Sequence, residues 1–442
     1  VSAAEQLLGD LDRRLARAQA EHRVPGLTAA VFRGDDLVWS RALGLADVET
    51  GAAVTPAHAF RIGSVTKTFT AVCVMQLREQ GAVDLDEPLR RYVPEAPVGP
   101  TVRQALAHLS GIQREPPGDV WETMVMPGRE ELLARLEDAE QVLRPGERWH
   151  YSNLAFGLLG ELVARLAGGS YPDALRRGVL DPLGLARTAL TPLQPVARGY
   201  LVDAYADGVS LEPEVEMVET TAALGQLWST ATDLCRYGAF LADGRDGVLP
   251  RAALDEMARV QTMVDHERWT VAWGLGLELV RVGERLYAGH GGAMPGFLAS
   301  LMVCRQERIG AAVLVNSGAQ VPIEKIALDL AELACAALPP DPESWSPDGG
   351  APEELRPLLG RWWTEGHEMI VRIRRGRLEA ELVGGPPGRS VSVFERESPD
   401  RWRCVEGREQ GELLRVERLA DGSVEKLSFA TYPLTRSQQT FG

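Results

Sequence analysis

The chain has 442 residues, 45% of them hydrophobic and 25% charged, which is the composition of a soluble globular protein long enough for two domains. Its formal net charge of −15 argues against nucleic acid and against an anionic membrane surface as partners. No window reaches the ~18 apolar residues that a membrane-spanning helix needs.

Residues 1–23 are charged and helix-patterned, with Leu7, Leu8, Leu11 and Leu15 on one face. They do not read as a signal peptide, so the expectation is a cytoplasmic protein. Residues 27–33 and 37–43 read as a β-hairpin turning at Gly34-Asp35-Asp36. A turn at Gly63 leads into an almost wholly apolar helix, residues 64–80, predicted to be buried. The stretch 84–94 reads as a short surface segment, and 102–109 as a short helix.

Residues 127–140 read as a charged surface helix. Tyr151-Ser152-Asn153 precedes an apolar helix, 154–166, closed by Gly168-Gly169. Residues 211–219, carrying Glu212, Glu214, Glu216 and Glu219, read as an exposed loop or lid edge. A helix follows at 230–241. Strand-like runs come next at 273–280, 284–288, 297–304 and 310–316, then an amphipathic helix at 323–337. That order predicts an antiparallel sheet flanked by helices, with a helical subdomain inserted.

The Pro- and Gly-rich stretch 339–353 reads as a linker between a first domain, residues 1–338, and a second, 354–442. In the second, six short strand-like runs (369–373, 378–382, 391–394, 401–405, 413–419 and 424–430) predict a small antiparallel barrel or sandwich. The five cysteines are scattered and lie mostly in apolar runs, which predicts buried free thiols. No Cys or His spacing suggests a metal site, and no cofactor is expected.

The chemistry concentrates at Ser64-Val65-Thr66-Lys67. On a helix, residues i and i+3 share a face, so the hydroxyl and the amine point together. Ser64 would stand at the helix N-terminus, where free N–H groups favour developing negative charge. A Ser-x-x-Lys match is common by itself. Here the lysine is the notable part, because of 47 Lys and Arg only Lys67, Lys325 and Lys426 are lysines. Arginine does not deprotonate in a protein, whereas a desolvated lysine serves as a base.

Three segments stand in order: Ser64-x-x-Lys67, Tyr151-x-Asn153 and His290-Gly291-Gly292. On these motifs the chain resembles the penicillin-recognising serine hydrolases, in the branch of class C β-lactamases, carboxylesterases and D-peptidases. Accessory stretches agree: 108–112, Pro145-Gly146-Glu147, 228–234 and Pro295-Gly296-Phe297. The resemblance covers about residues 5–338. His290 stands where β-lactamases and DD-peptidases usually carry Lys, a form common in the esterase and peptidase-like branch.

The resemblance implies a β-lactamase/transpeptidase-like α/β domain followed by a lipocalin-like β-barrel. It implies Ser64 as nucleophile, with Lys67 and Tyr151 handling the proton and the choice of base between them open. Asn153 would bond Lys67 and the substrate amide. Ser64 and Ala293 N–H groups would form the oxyanion hole. His290 would orient Tyr151 or touch substrate, with Gly291, Gly292 and Trp228 binding it. Arg436, just past the last strand, reads first as a solvated arginine, and the sharper expectation is that it reaches the cleft and reads a substrate carboxylate. It also implies likeness to penicillin-binding-protein-type thioesterases, which cyclise nonribosomal peptidyl thioesters delivered by a carrier protein. Release of the acyl group to water, as by an esterase or D-amidase, is the alternative. A non-catalytic binding protein on the same fold is a third.

Overall fold

The computed structural model describes residues 3–219, 221–318, 321–339, 345, 347, 350–386 and 389–438. They fall into two compact units, Val1–Asp341 and Pro342–Gly442.

The first unit is built on a sheet. Its strands are β1 (Gly26–Arg33), β2 (Asp36–Asp47), β3 (Ala52–Ala53), β4 (Thr262–Met263), β5 (Val271–Trp273), β6 (Glu278–Val282), β7 (Arg285–Met294), β8 (Phe297–Cys304) and β9 (Ile309–Val315). They lie in the order β3-β2-β1-β9-β8-β7-β6-β5-β4, and the paired neighbours are antiparallel. The chain thus contributes both ends of the sheet and inserts its helices between β3 and β4. Strands β1, β8 and β9 are largely apolar on both faces and buried but for Arg33 and Leu298, as expected of central strands covered on each side.

One face carries α1 (Ala3–Glu21). Leu7, Leu11 and Leu15 are buried there, while Leu8, predicted for the same stripe, lies 40% exposed. Four residues separate each buried leucine from the next, and Leu8 falls one step, about 100°, off that row. The other face carries α2 (Thr66–Glu79), α3 (Asn153–Leu166) and α4 (Ala231–Asp243), joined in one apolar cluster. Helix α5 (Ile323–Ala337) returns to the α1 face and buries Ile326, Leu330 and Ala334. Each such leucine or isoleucine contributes ~1.5–3 kcal/mol. No helix among the described residues is long and apolar enough to cross a membrane.

Two expected surface elements differ. The charged helix over 127–140 is broken into a short helix, Arg129–Ala134, and a 3-10 turn, Leu136–Asp138. Arg129, still partly exposed, reaches in to bond Glu161, a fully buried carboxylate on α3 that also holds Arg165. The acidic stretch 211–219 is anchored rather than free. Val215 and Met217 are buried, and the buried Arg61 guanidinium holds the Val215 carbonyl and the Gln226 side chain.

The second unit is a barrel of β10 (Gly360–Thr364), β11 (His367–Arg374), β12 (Arg377–Leu382), β13 (Val391–Ser398), β14 (Arg401–Glu406), β15 (Leu413–Arg418), β16 (Val424–Phe429) and β17 (Tyr432–Leu434), paired in sequence order. The sequence reading lacked the first and last of these. They matter most, because Trp363 and Thr435 exchange both backbone hydrogen bonds, at 2.8 and 3.0 Å, and tie the two ends together. Trp362 fills the interior with Phe394 and Leu414. Most of the expected linker, 340–344, 346 and 348–349, lies outside the described residues.

Candidate active site

Helix α2 begins in a 3-10 turn, Gly63–Val65, so Ser64 sits at its head and Lys67 one turn in. The Lys67 Nζ donates to Ser64 Oγ at 3.1 Å and to the Leu224 carbonyl at 2.6 Å. Lys67 is completely buried, and desolvation lowers its pKa from 10.5 to about 7; Glu115 opposes that shift and Arg114 adds to it. An amine in that range is a proton acceptor at neutral pH.

Tyr151 comes from the segment before α3. The Ser152 side chain caps that helix by accepting from Ala155 N–H, and Ser152 N–H donates to His108 Nδ1 at 3.1 Å. The His108 ring stacks on Tyr151 at 4.2 Å, and Arg114 lies 5.1 Å above the Tyr151 ring. The phenol faces Ser64, and burial pushes its pKa well above the ordinary 10, an effect that Ser64 opposes. Burial thus favours the neutral phenol at Tyr151 and the neutral amine at Lys67.

The third wall is β7, whose backbone runs against the Ser64 turn. A Cβ on Gly292 would meet the Ile62 carbonyl at 1.9 Å and Ser64 N at 3.1 Å. Gly63 has φ +49°, and a Cβ there would lie 2.7 Å from Ala293 N. Only glycine permits this approach. It brings the N–H groups of Ser64 and Ala293 side by side, the arrangement an oxyanion requires.

His290 and Asn153 are both placed in the cleft, with partners other than those expected. The His290 Nδ1 meets the Gly291 carbonyl, which only accepts, so Nδ1 carries the proton. Nε2 is then a bare acceptor, buried and without a partner. Burial and the neighbouring Lys67 hold this imidazole neutral, with a pKa of about 3. Asn153 does not hydrogen-bond Lys67. Its Nδ2 donates to Glu115 at 2.8 Å, and its Oδ1 is buried and free.

Two assignments are corrected. Trp228 does not line the cleft. It is buried in a two-residue strand, Trp228–Ser229, between the Arg61 guanidinium at 5.4 Å and the Phe297 ring at 5.5 Å. Arg436 is exposed and spends donors on its own unit's backbone. It bonds the carbonyls of Arg361 and Pro357 and stacks 3.7 Å over Trp362.

The cleft has a volume of about 880 Å³. Its walls add residues the sequence reading passed over: Arg114, Glu115, Trp149, Trp273, Glu278 and Glu324. None carried a local signal, and Glu115 is one of 62 acidic residues. Elsewhere the fold brings the ligand atoms of Cys304, Glu307 and Cys335 within 4.8 Å of one another, which no spacing announced. All five cysteines are buried and free.

A nucleophile, a buried lysine and an oxyanion pocket on an antiparallel sheet define a class of serine hydrolases. The chain belongs to the β-lactamase family, whose profile, described as "Beta-lactamase", matches residues 11–336. Residues 351–436 match a domain of unknown function, DUF7586. Penicillin-binding protein 4 of Amycolatopsis lactamdurans is 30% identical over 381 residues, 80% of this chain and 97% of its own. Beta-lactamase-like protein 2 of Dictyostelium discoideum is 26% identical over 68% of this chain, which spans 58% of its length. The D-aminopeptidase of Brucella anthropi is 28% identical over 67% of this chain and 56% of its own.

Among solved structures, the octameric penicillin-binding protein homologue from Pyrococcus abyssi aligns with a TM-score of 0.66 at 25% identity, covering 97% and 99% of the two chains. SurE with D-Leu aligns at 0.61 and 26% identity, covering 98% and 100%.

Proposed function

We propose that this protein forms an acyl-enzyme at Ser64 on substrates whose acyl group ends in a D-residue, and passes that group to an amine. The carrying observation is the Lys67–Ser64 contact, with the amine tuned to about 7 at 3.1 Å from the hydroxyl. Ser64 Oγ attacks the acyl carbonyl as Lys67 takes its proton. The N–H groups of Ser64 and Ala293 hold the oxyanion. Tyr151 gives a proton to the leaving group, and the ester on Ser64 then awaits an acceptor.

D-stereochemistry is supported by the relatives, a D-aminopeptidase and a structure holding D-Leu. The specific form we favour is a thioesterase that cyclises a carrier-bound nonribosomal peptide, its own amine resolving the ester. Likeness over nearly the whole of SurE supports a two-domain plan shared with that structure. Release to water, as in a D-amidase or esterase, is the second reading. It is favoured by the D-aminopeptidase relative, which matches 67% of this chain. A linear peptidyl thioester ending in a D-residue separates them. Cyclic product supports the transferase, acid alone supports the hydrolase, and failure of Ser64 to acquire an acyl adduct overturns both.

A further inference from the structure

Strand β6 ends at Glu278, opposite Gly289 of β7. Strand β7 continues to Met294, paired on its other side with β8 as far as Met294–Phe297. Residues 290–294 therefore present one open strand edge, running from His290 to the oxyanion N–H of Ala293. An extended substrate adds to such an edge through its backbone.

Two carboxyl groups stand at the far end of this slot. Glu278 closes it, and Glu324, in the first turn of α5, lies over Gly291, where a Cβ would meet its Oε1 at 2.0 Å. The start of α5 accounts for a carboxylate at Glu324. Nothing comparable accounts for Glu278. Neither has a hydrogen bond or an ion-pair partner among the described residues. Glu278 is half-buried and Glu324 exposed, whereas the fully buried Glu161 holds two arginines. Desolvation raises both carboxyl pKa values, and the Glu324 charge adds to the shift at Glu278, which reaches about 8.

An independent observation at the same cleft points to a ligand. His290 Nε2 and Asn153 Oδ1 are acceptors without partners, on residues 3% and 7% exposed. Among the described residues the only arginine lining the cleft, Arg114, is already engaged with Glu115 and the Tyr151 ring. The groups left without a counter-ion are the two carboxyls.

We infer that Glu278 and Glu324 form a subsite for a cationic amine carried by the leaving group or by the acyl acceptor. The side follows from Tyr151, whose ring centroid is 6.2 Å from that of His290 and whose hydroxyl feels Glu278. The group that leaves and the group that arrives use the same side of the acyl carbonyl, by reversibility. This rests on the acyl-transfer reading above and adds the charge of the partner it accepts. A carboxylate-bearing leaving group meets repulsion in the same place.

The test is labelling of Ser64 by a fluorophosphonate at pH 8, slowed by hexylamine, hexanol or hexanoate as leaving-group mimics. The expected result is protection by the amine at about tenfold lower concentration than by hexanoate. In the Glu278→Gln/Glu324→Gln variant that ratio falls toward one. Equal protection by amine and hexanoate in the wild type, or an unaltered ratio in the variant, overturns the subsite while leaving the nucleophile standing. Absence of any label on Ser64 overturns the acyl-enzyme reading itself, and the subsite with it.

Discussion

The Lys67 ammonium is held between Ser64 Oγ and the Leu224 carbonyl, at 3.1 and 2.6 Å, with no carboxylate bonded to it. A buried cation given only neutral partners sheds its proton readily. The rate kcat/KM should therefore climb as pH rises through about 7, where Lys67 deprotonates. Lys67→Arg should abolish this limb and lower kcat by roughly 10³-fold or more, since guanidinium cannot accept a proton. A profile flat from pH 5 to 9 in the wild type would remove Lys67 as the base.

The same group shapes stability. Its folded pKa, about 7, lies below the ordinary 10.5. Between those values the unfolded chain holds the extra proton, so stability rises with pH across that window. The cost of burying the charge is fully present below pH 7. Lys67→Met should gain ~1–4 kcal/mol at pH 6, a gain that shrinks toward pH 10. Denaturant titrations at the two pH values measure the difference.

Gly292→Ala should damage the site more than the fold. The new methyl collides with the Ile62 carbonyl and moves β7 off the Ser64 turn. A displacement near 1 Å costs about 10²-fold in rate. Labelling of Ser64 should slow in step with kcat/KM, and normal kinetics would show that the strand does not form the oxyanion pocket.

Trp228→Ala should act in the opposite sense. Removing a buried indole that packs on Arg61 and Phe297 costs ~3–5 kcal/mol. KM, measured well below the melting temperature, should hold within about twofold. A raised KM at unaltered stability would return Trp228 to the substrate.

Arg129 and Arg165 share the fully buried carboxylate of Glu161. Either arginine alone partly compensates it, so each single alanine variant should cost ~1–2 kcal/mol. The double variant strands the charge and should cost more than the sum. Additivity in thermal melts would show that the two act separately.

The elements that carry the chemistry were legible because their constraints are local. Ser64 and Lys67 are bound by helix spacing, and Ser152 caps the helix that Tyr151 precedes. What escaped was set by contacts distant in sequence. Glu115 reaches Asn153 across 38 residues, and Glu278 and Glu324 meet the cleft through a strand end and a helix start 46 positions apart. Trp228 looks like a substrate residue until the short Phe60–Arg61 strand pairs with Trp228–Ser229. The barrel's closing strands were missed for a related reason. Tyr432–Leu434 is three residues long and contains proline, so its pairing with β16 and the Thr435 bridge to β10 hold it, not its own propensity.

The open edge of β7 has a second consequence. A row of unpaired backbone groups accepts a substrate, and it equally accepts a strand from another copy of the chain. The barrel avoids this hazard by joining its ends. The catalytic domain cannot, because closing the edge would close the cleft. Pro295 breaks the row of donors just beyond Met294, and the uncompensated carboxyls at its other end repel their own images. Neutralising them, as in Glu278→Gln/Glu324→Gln, is expected to promote self-association, which light scattering measures.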